Sequence, residues 1–241
     1  MNSKKKPIGR KNYGSIPHLP NSRMGPADHT CHEGQERIAT IKARDKHDEI
    51  FVQEKLDGSN VGVARVGDVL HMLGRAGYDT FSSPYTQHRH FGNWAHRNYE
   101  RFFSVLKDGE RLVGEWLMQA HGTRYELPHE PFVVFDLMVG TERLPYDEFM
   151  GRIDGRFITP FLVSRGQPMG VEDAMKVIGE FGHHGAIDPV EGAVWRVERD
   201  KLVGGGKRKR VVDFLVKWVR PDKVDGLYLL DGQELWNNWL P

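Results

Sequence analysis

The sequence predicts an α+β domain built on antiparallel sheets, and three features lead there. From residue 51 onward, short β-prone runs are separated by turns, several of them ending in Gly or Asp-Gly as hairpins do. Helical candidates are fewer than strand candidates. No internal repeat, heptad array or low-complexity linker divides the 241 residues, a length that suits one large domain.

Taken in order, residues 1–30 are rich in Lys, Arg, Pro, Gly and Asn and read as an N-terminal basic arm, leaving 31–241 as the folded domain. Within the arm, "YGSIPHLPNSR" (13–23) combines aromatic, basic and small polar residues, so it either packs as an arm or lines a ligand site. The strand candidates follow: "FVQEKL", "VGVARV", "VLHMLGR", "RLVGEWLM", "PFVVFDLMV", "EGAVWRV" and "VVDFLVKWV". Residues 84–107 predict a helix, because Trp94, Asn98, Phe102 and Leu106 recur near the 3.6-residue period. "GVEDAMKVIGEFGHH" (170–184) predicts a second helix, and "LPYDEFMGRI" a short third.

Bulk properties exclude several classes. With 39% hydrophobic and 28% charged residues the chain can pack a core, and disorder is not expected. A formal net charge of +1 means that any nucleic-acid contact must come from local patches. A lone cysteine, Cys31, excludes an internal disulfide framework and suits a reducing compartment. No apolar run approaches a membrane span, and the N-terminus lacks the apolar core of a signal peptide. The expected location is cytoplasmic, without membrane contact.

The stretch "FVQEKLDGSN" (51–60) stands out. It begins as a strand, yet it sets Lys55 between Glu54 and Asp57, just before Gly58, and strand character resumes at Val61. Lys55 is either a surface lysine at a strand end or a nucleophile. An ammonium with a pKa of about 10.4 is inert at neutral pH, and flanking carboxylates alone raise that value. A nucleophilic lysine therefore requires burial, a metal ion or further basic side chains from elsewhere in the chain.

Lys55-Leu56-Asp57-Gly58-Ser59-Asn60 resembles motif I, K-x-D-G-x-(N/R), of the covalent nucleotidyltransferases, which comprise ATP-dependent DNA and RNA ligases and mRNA capping enzymes. Further elements match the family's motifs in order. "LGRAGYDT" supplies Arg75, "LVGEWL" places Glu115 as motif III does, and "FVVFDL" (with Phe135 and Asp136) is similar to motif IIIa. "VEGAVWRV" resembles motif IV with Glu191, and "DFLVKWV" resembles motif V with Lys217. The ordered set spans roughly seven tenths of the chain, from residue 51 to 219.

The resemblance implies an antiparallel nucleotidyltransferase domain of ATP-grasp-like ligase type. It implies that Lys55 attacks the α-phosphorus of ATP, giving lysyl-AMP and pyrophosphate with Mg2+ or Mn2+ as the metal. Glu54, Lys55, Asn60, Arg75, Glu115, Phe135, Glu191 and Lys217 would form the ATP/AMP site. In it, Glu115 would bond the ribose, the Phe135 ring would stack on adenine, and Glu191 would face the metal or the lysine. Lys217, with Arg75 and Asn60, would bind phosphate. Lys55, Glu191 and Lys217 are the expected catalytic residues. Taken alone, Phe135 reads equally as a core aromatic and Glu115 as a strand cap.

One departure concerns motif V, often K-x-K in the family but Leu215-Val216-Lys217 here. The second cation is then missing or comes from elsewhere, with Lys207, Lys209, Arg208, Arg210 and Arg220 as candidates. These five are also the candidate nucleic-acid contacts, the first four as a basic hairpin tip or a plain solvated loop. "GGGKRKR" fits no Walker A frame, and "CHEGQE" is not H-E-x-x-H. The histidines His88, His90, His96, His183 and His184 lack cysteine or carboxylate partners at ligand spacing and read as surface or core residues.

Within the superfamily, Asn60 closing motif I resembles the RNA ligase 2 group, where DNA ligases and capping enzymes usually carry Arg. The segment after Lys217 is too short for the OB-fold barrel that follows motif V in those enzymes, so no OB-fold domain is expected. The expected substrates are RNA ends or a nicked duplex, with the need for a partner protein left open. The alternatives are a minimal DNA ligase, a capping-type guanylyltransferase, or a nucleic-acid-binding protein that keeps the fold without the chemistry.

Overall fold

The computed structural model describes residues 6–229 and 234–239, so the first part of the expected arm and residues 230–233 and 240–241 lie outside it. Two antiparallel sheets carry the molecule. In the first, β1 (Asp48–Lys55) lies between β8 (Leu162–Gly166) and β9 (Gly192–Leu202), and β10 (Arg208–Val219) pairs on the outer side of β9. The second runs β3 (Val69–Gly74), β2 (Ser59–Val66), β4 (Glu110–Trp116), β6 (Phe132–Val139) and β7 (Glu142–Arg143). A short parallel pair joins β5 (Glu126–Leu127) to β11 (Asn238–Trp239).

Alternation of side chains gives each sheet two unlike faces. On the first sheet Ile50, Val52, Trp195, Val197 and Val216 are fully buried against α1 (Glu33–Thr40) and α5 (Val171–Ile178). On the second, Val61, Val63, Leu112, Trp116, Phe132 and Val134 pack under α2 (Thr86–Arg97), α3 (Tyr99–Val105) and α4 (Tyr146–Ile153). Burial of such a side chain contributes about 1.5–3 kcal/mol each, so the outer, helix-covered faces supply most of the cohesion. The facing inner sides are free to carry polar groups.

Two helix expectations need correction. The helix predicted over 84–107 is two helices: Asn98, with φ −102° and ψ 23°, closes α2 and opens α3. Its Nδ2 donates to the Trp94 carbonyl at 2.9 Å, so the residue that seemed to extend the apolar stripe breaks it. The helix predicted over 170–184 stops at Ile178, because Gly179 turns to φ +75°. Among the elements that went unread are α1, opened by a capping box between His32 and Gln35, and the five-residue β8.

The supposed arm is tied into the domain. Asn12, Tyr13, His18 and Leu19 are buried, and His18 bridges in parallel to Lys217 on the free edge of β10. Lys217 N–H donates to the Pro17 carbonyl at 3.0 Å and Leu19 N–H to the Lys217 carbonyl at 2.8 Å. Among the described residues, no helix is long and apolar enough to cross a membrane.

Candidate active site

The linker between β1 and β2 carries the chain from one sheet to the other. Lys55 is the last residue of β1 and Ser59 the first of β2, so Leu56, Asp57 and Gly58 make the crossing. Gly58 passes so close to β4 that a Cβ there would meet the Trp116 carbonyl oxygen at 2.5 Å. Asp57 pins the crossing from three sides. Its Oδ2 accepts from Gly122 N–H at 2.8 Å and pairs with Lys223 Nζ at 2.9 Å, and its own N–H donates to Tyr125 Oη at 3.1 Å. Lys223 is 3% exposed and also bonds the Thr123 hydroxyl. The ammonium of Lys55 thus projects from a fixed turn at the junction of the sheets.

Across that junction Lys55 Nζ donates to Glu191 Oε2 at 2.6 Å. Glu191 is placed by Gly192, which pairs with Lys55 on one side and Val219 on the other. A Cβ on Gly192 would meet the Trp218 carbonyl oxygen at 1.9 Å, which is why glycine follows the glutamate. Burial works to lower the pKa of Lys55, but Glu191 and then Glu115 outweigh it and hold the amine above its ordinary value. Burial raises Glu191 despite Lys55, and pushes Glu115 up to about 8. Glu115 accepts a hydrogen bond from Gly58 N–H at 3.2 Å. Burial, followed by the charge of Lys55, lowers Lys217. Two ammonium and two carboxyl groups therefore share one cavity mouth.

Behind the mouth lies a cleft between the two inner faces. Lys55, Asn60, Arg75, Glu115, Phe135 and Lys217 line it. Phe135 reaches it through a β-bulge: Val113 opposes Asp136 and Gly114 opposes Val134, leaving Phe135 as the extra residue. Consecutive residues Phe135 and Asp136 consequently both face the cleft. Tyr13 packs edge-on to Phe135 at 5.2 Å and donates to Asp136 Oδ2 at 2.6 Å. Asp136 also takes Arg196 Nη1 at 2.6 Å and Arg143 Nε at 3.0 Å, so the cleft floor is a closed ionic network.

The structure gathers most of the residues expected from the sequence, with two qualifications. Glu54 borders the cleft only along the strand; its side chain points through the sheet, where Oε2 accepts from His183 N–H at 3.0 Å. The pocket side of β1 is taken by Gln53, which is buried and whose Nε2 has no partner. Strand alternation separates Gln53 and Lys55 from Glu54 and was the available signal for Gln53. Asn60 likewise keeps a buried Oδ1 without a partner.

The second qualification concerns the basic tip. Lys217 and Arg208 lie nine positions apart on β10, roughly 30 Å by strand rise. Lys207, Arg208 and Lys209 are exposed there, while Arg210 is paired with Glu49 and Asp200, each at 2.8 Å. Arg220 sits beside the mouth, its N–H donating to the Glu191 carbonyl at 3.0 Å. Opposite Leu215 across the strands stands Arg196, already neutralised by Asp136 and Glu198. Arg196 and Lys223 were not singled out in the sequence: Arg196 sits within the string that resembles motif IV but not at the position of its glutamate, and Lys223 lies beyond motif V. Among the histidines, His184 is buried, accepts from or donates to His129 at 2.8 Å, and is pushed down to about 4 by burial.

Comparison with known proteins follows the same lines. The sequence model of a family described as RNA ligase matches residues 48–219. No curated protein matches the chain. Among solved structures, a point mutant of an RNA ligase from Naegleria gruberi without ligand superposes with a TM-score of 0.52 at 15% identity, covering 90% of this chain and 59% of that one. Another mutant of that ligase, with AMP and Mn, gives 0.51 at 16% identity, covering 84% and 59%. The chain thus spans about 59% of the length of these ligases and shares their fold.

Proposed function

Since the chain belongs to the RNA ligase family, we propose that it is an ATP-dependent RNA ligase acting through a lysyl-AMP intermediate on Lys55. The observation that carries this reading is Lys55 Nζ at 2.6 Å from Glu191, set at the mouth of a cleft with an aromatic ring and unpaired polar groups inside. In the first step Nζ attacks the α-phosphorus of ATP, the N–P bond forms, the α–β anhydride breaks and pyrophosphate leaves. A 5′-phosphate end then takes the AMP from Lys55. Attack of a 3′-hydroxyl on the capped end closes the strand and releases AMP.

The amine must lose a proton before it attacks, and the raised Lys55 pKa favours the ammonium in the free site. Glu191 is the acceptor in contact with that proton, and burial already favours its acid form. Lys217 repels the ammonium and faces the cleft, where it and Arg75 suit a phosphate. Phe135 offers a stacking face for a base, and Glu115 an acceptor for ribose hydroxyls.

The donor set also suits a divalent cation that arrives with the nucleotide. Among the described residues no three His, Cys, Asp or Glu side chains group as a closed metal cage. Glu191 and Glu115 nevertheless crowd one mouth, and Mg2+ or Mn2+ commonly takes one or two carboxylates plus substrate phosphates. Bound there, chiefly by Glu191, such an ion would neutralise phosphate charge.

Incubation with α-labelled ATP and magnesium tests the reading. Covalent label is expected on the wild type and absent from Lys55→Arg, because a guanidinium keeps its proton and cannot form the phosphoramidate. Lys217→Ala is expected to label at least a hundredfold more slowly, as lost transition-state contacts to phosphate commonly cost a few kcal/mol. Full labelling of Lys55→Arg at another lysine, or labelling by GTP in place of ATP, would overturn the assignment.

A further inference from the structure

Beyond Lys55 the cleft continues outward as a second groove whose outer part none of the nucleotide roles uses. It shares Lys55, Asn60, Arg75, Glu115 and Lys217 with the cleft and runs on along the loop after β3, past Tyr78, Thr80, Ser83 and Tyr85. On this loop Tyr78 and Tyr85, both lining the groove, are 39% and 63% exposed. Single exposed apolar residues are ordinary, but a pair opening onto a reactive centre calls for a ligand.

The loop is held in place without one. Asp79 Oδ1 accepts from Phe81 N–H at 2.8 Å, Ser83 Oγ is bonded to His88 Nδ1 at 2.7 Å, and Arg89 Nη1 donates to the Ser83 carbonyl at 3.0 Å. Gly77, at φ +86°, lies against the Arg10 carbonyl, where a Cβ would come within 2.0 Å. That contact brings the N-terminal segment alongside and puts Lys6 Nζ 4.9 Å from the Tyr78 ring. The groove therefore offers preset aromatic faces flanked by Lys6, Arg75 and Lys217. Of the acids that line it, Asp57 is paired with Lys223 and Glu191 with Lys55, Glu115 accepts from Gly58 N–H, and Asp79 caps the loop.

Cations beside open rings suit a strand that has both phosphates and accessible base faces. Bases of a duplex are stacked on one another and present no free face, whereas unpaired bases can lie on Tyr and Phe rings. The strand whose 5′-phosphate meets the adenylylated lysine must leave the mouth, and this groove is continuous with it. We propose that the loop bearing Tyr78 and Tyr85 binds the unpaired nucleotides adjoining the 5′-phosphate end of the RNA, stacking bases on those two rings. The proposal rests on the ligase reading above.

The test uses the full chain and a short, 5′-phosphorylated single-stranded RNA carrying a fluorophore. In the double variant Tyr78→Ser, Tyr85→Ser, the Kd for this RNA is expected to rise about thirtyfold or more, since each stacked ring removed costs about fivefold to a hundredfold. Tyr85→Trp is expected to keep the affinity. Labelling of Lys55 by ATP should stay within about twofold, since neither ring lines the inner cleft. Binding of a blunt, fully paired RNA duplex should be the same for wild type and variant. Unchanged single-strand affinity would assign the rings to a protein surface and overturn the proposal, as would equal loss on the duplex. A wild type that takes no label from ATP would instead remove the ligase reading, while the binding comparison still judges the groove.

Discussion

The Glu54 carboxyl is 2% exposed, its Oε1 has no partner, and burial pushes it up to about 7 from an ordinary 4.5. Its folded pKa is raised, so the native state holds a proton that the unfolded chain has released over the interval from about 4.5 to 7. Stability is therefore expected to fall as pH rises through that window. Glu54→Gln removes the titration and keeps the shape. It is expected to exceed the wild type in stability at pH 8 by on the order of 1–3 kcal/mol, with little difference at pH 4.5. Urea unfolding at the two pH values checks this, and a wild type that gains stability with pH would sink it. The neighbouring Lys55 stood out in the sequence as a candidate because K-x-D-G is a local string. The burial and orientation of Glu54 were not legible, since both depend on Gly182 and His183 packing against it from more than a hundred residues away.

Strand elements were readable where β-branched and aromatic residues form long runs, as in β6 and β10. They were unreadable in β8, whose five residues include Ser, Arg and Gly and show no clean alternation. Helix boundaries failed at Asn98 for a related reason: a side chain bonding its own backbone overrides the apolar period. The bulge at Phe135 also escaped the sequence, because only pairing with β4 reveals the extra residue. At this scale Gly192 carries the sharpest expectation. An added methyl must push β9 from β10, and those strands position Glu191 and Lys217. Gly192→Ala is expected to cost about 1–3 kcal/mol through overpacking and to slow labelling of Lys55 at least tenfold. Thermal unfolding beside a labelling assay decides; a wild-type rate of labelling would mean the strands tolerate the shift.

Across the whole molecule, the basic tip and the active-site mouth lie at opposite ends of the β9–β10 hairpin. Replacing Lys207, Arg208 and Lys209 by neutral residues is therefore expected to leave labelling of Lys55 intact. It should weaken binding of long RNA and flatten its salt dependence, with short oligonucleotides indifferent. Loss of labelling in that variant would contradict the separation. The antiparallel architecture itself was legible, because order and composition of the runs fix it; that the N-terminal segment completes the edge of β10 was not, because nothing local marks residues 17–19 as a strand partner. The sheet order also bears on how the chain folds as it is made. Central strand β1 finds both its neighbours, β8 and β9, more than a hundred residues later in the chain, and Lys55 reaches Glu191 over a separation of 136 residues. Contacts so distant in sequence delay folding, since loop-closure entropy is lost before they form. On the ribosome, β1 must wait unpaired until β8 and β9 have been synthesised. Lys55 consequently meets its partner carboxylate only after a further 136 residues have been added, and a nascent chain halted before β9 would present the lysine without Glu191 beside it.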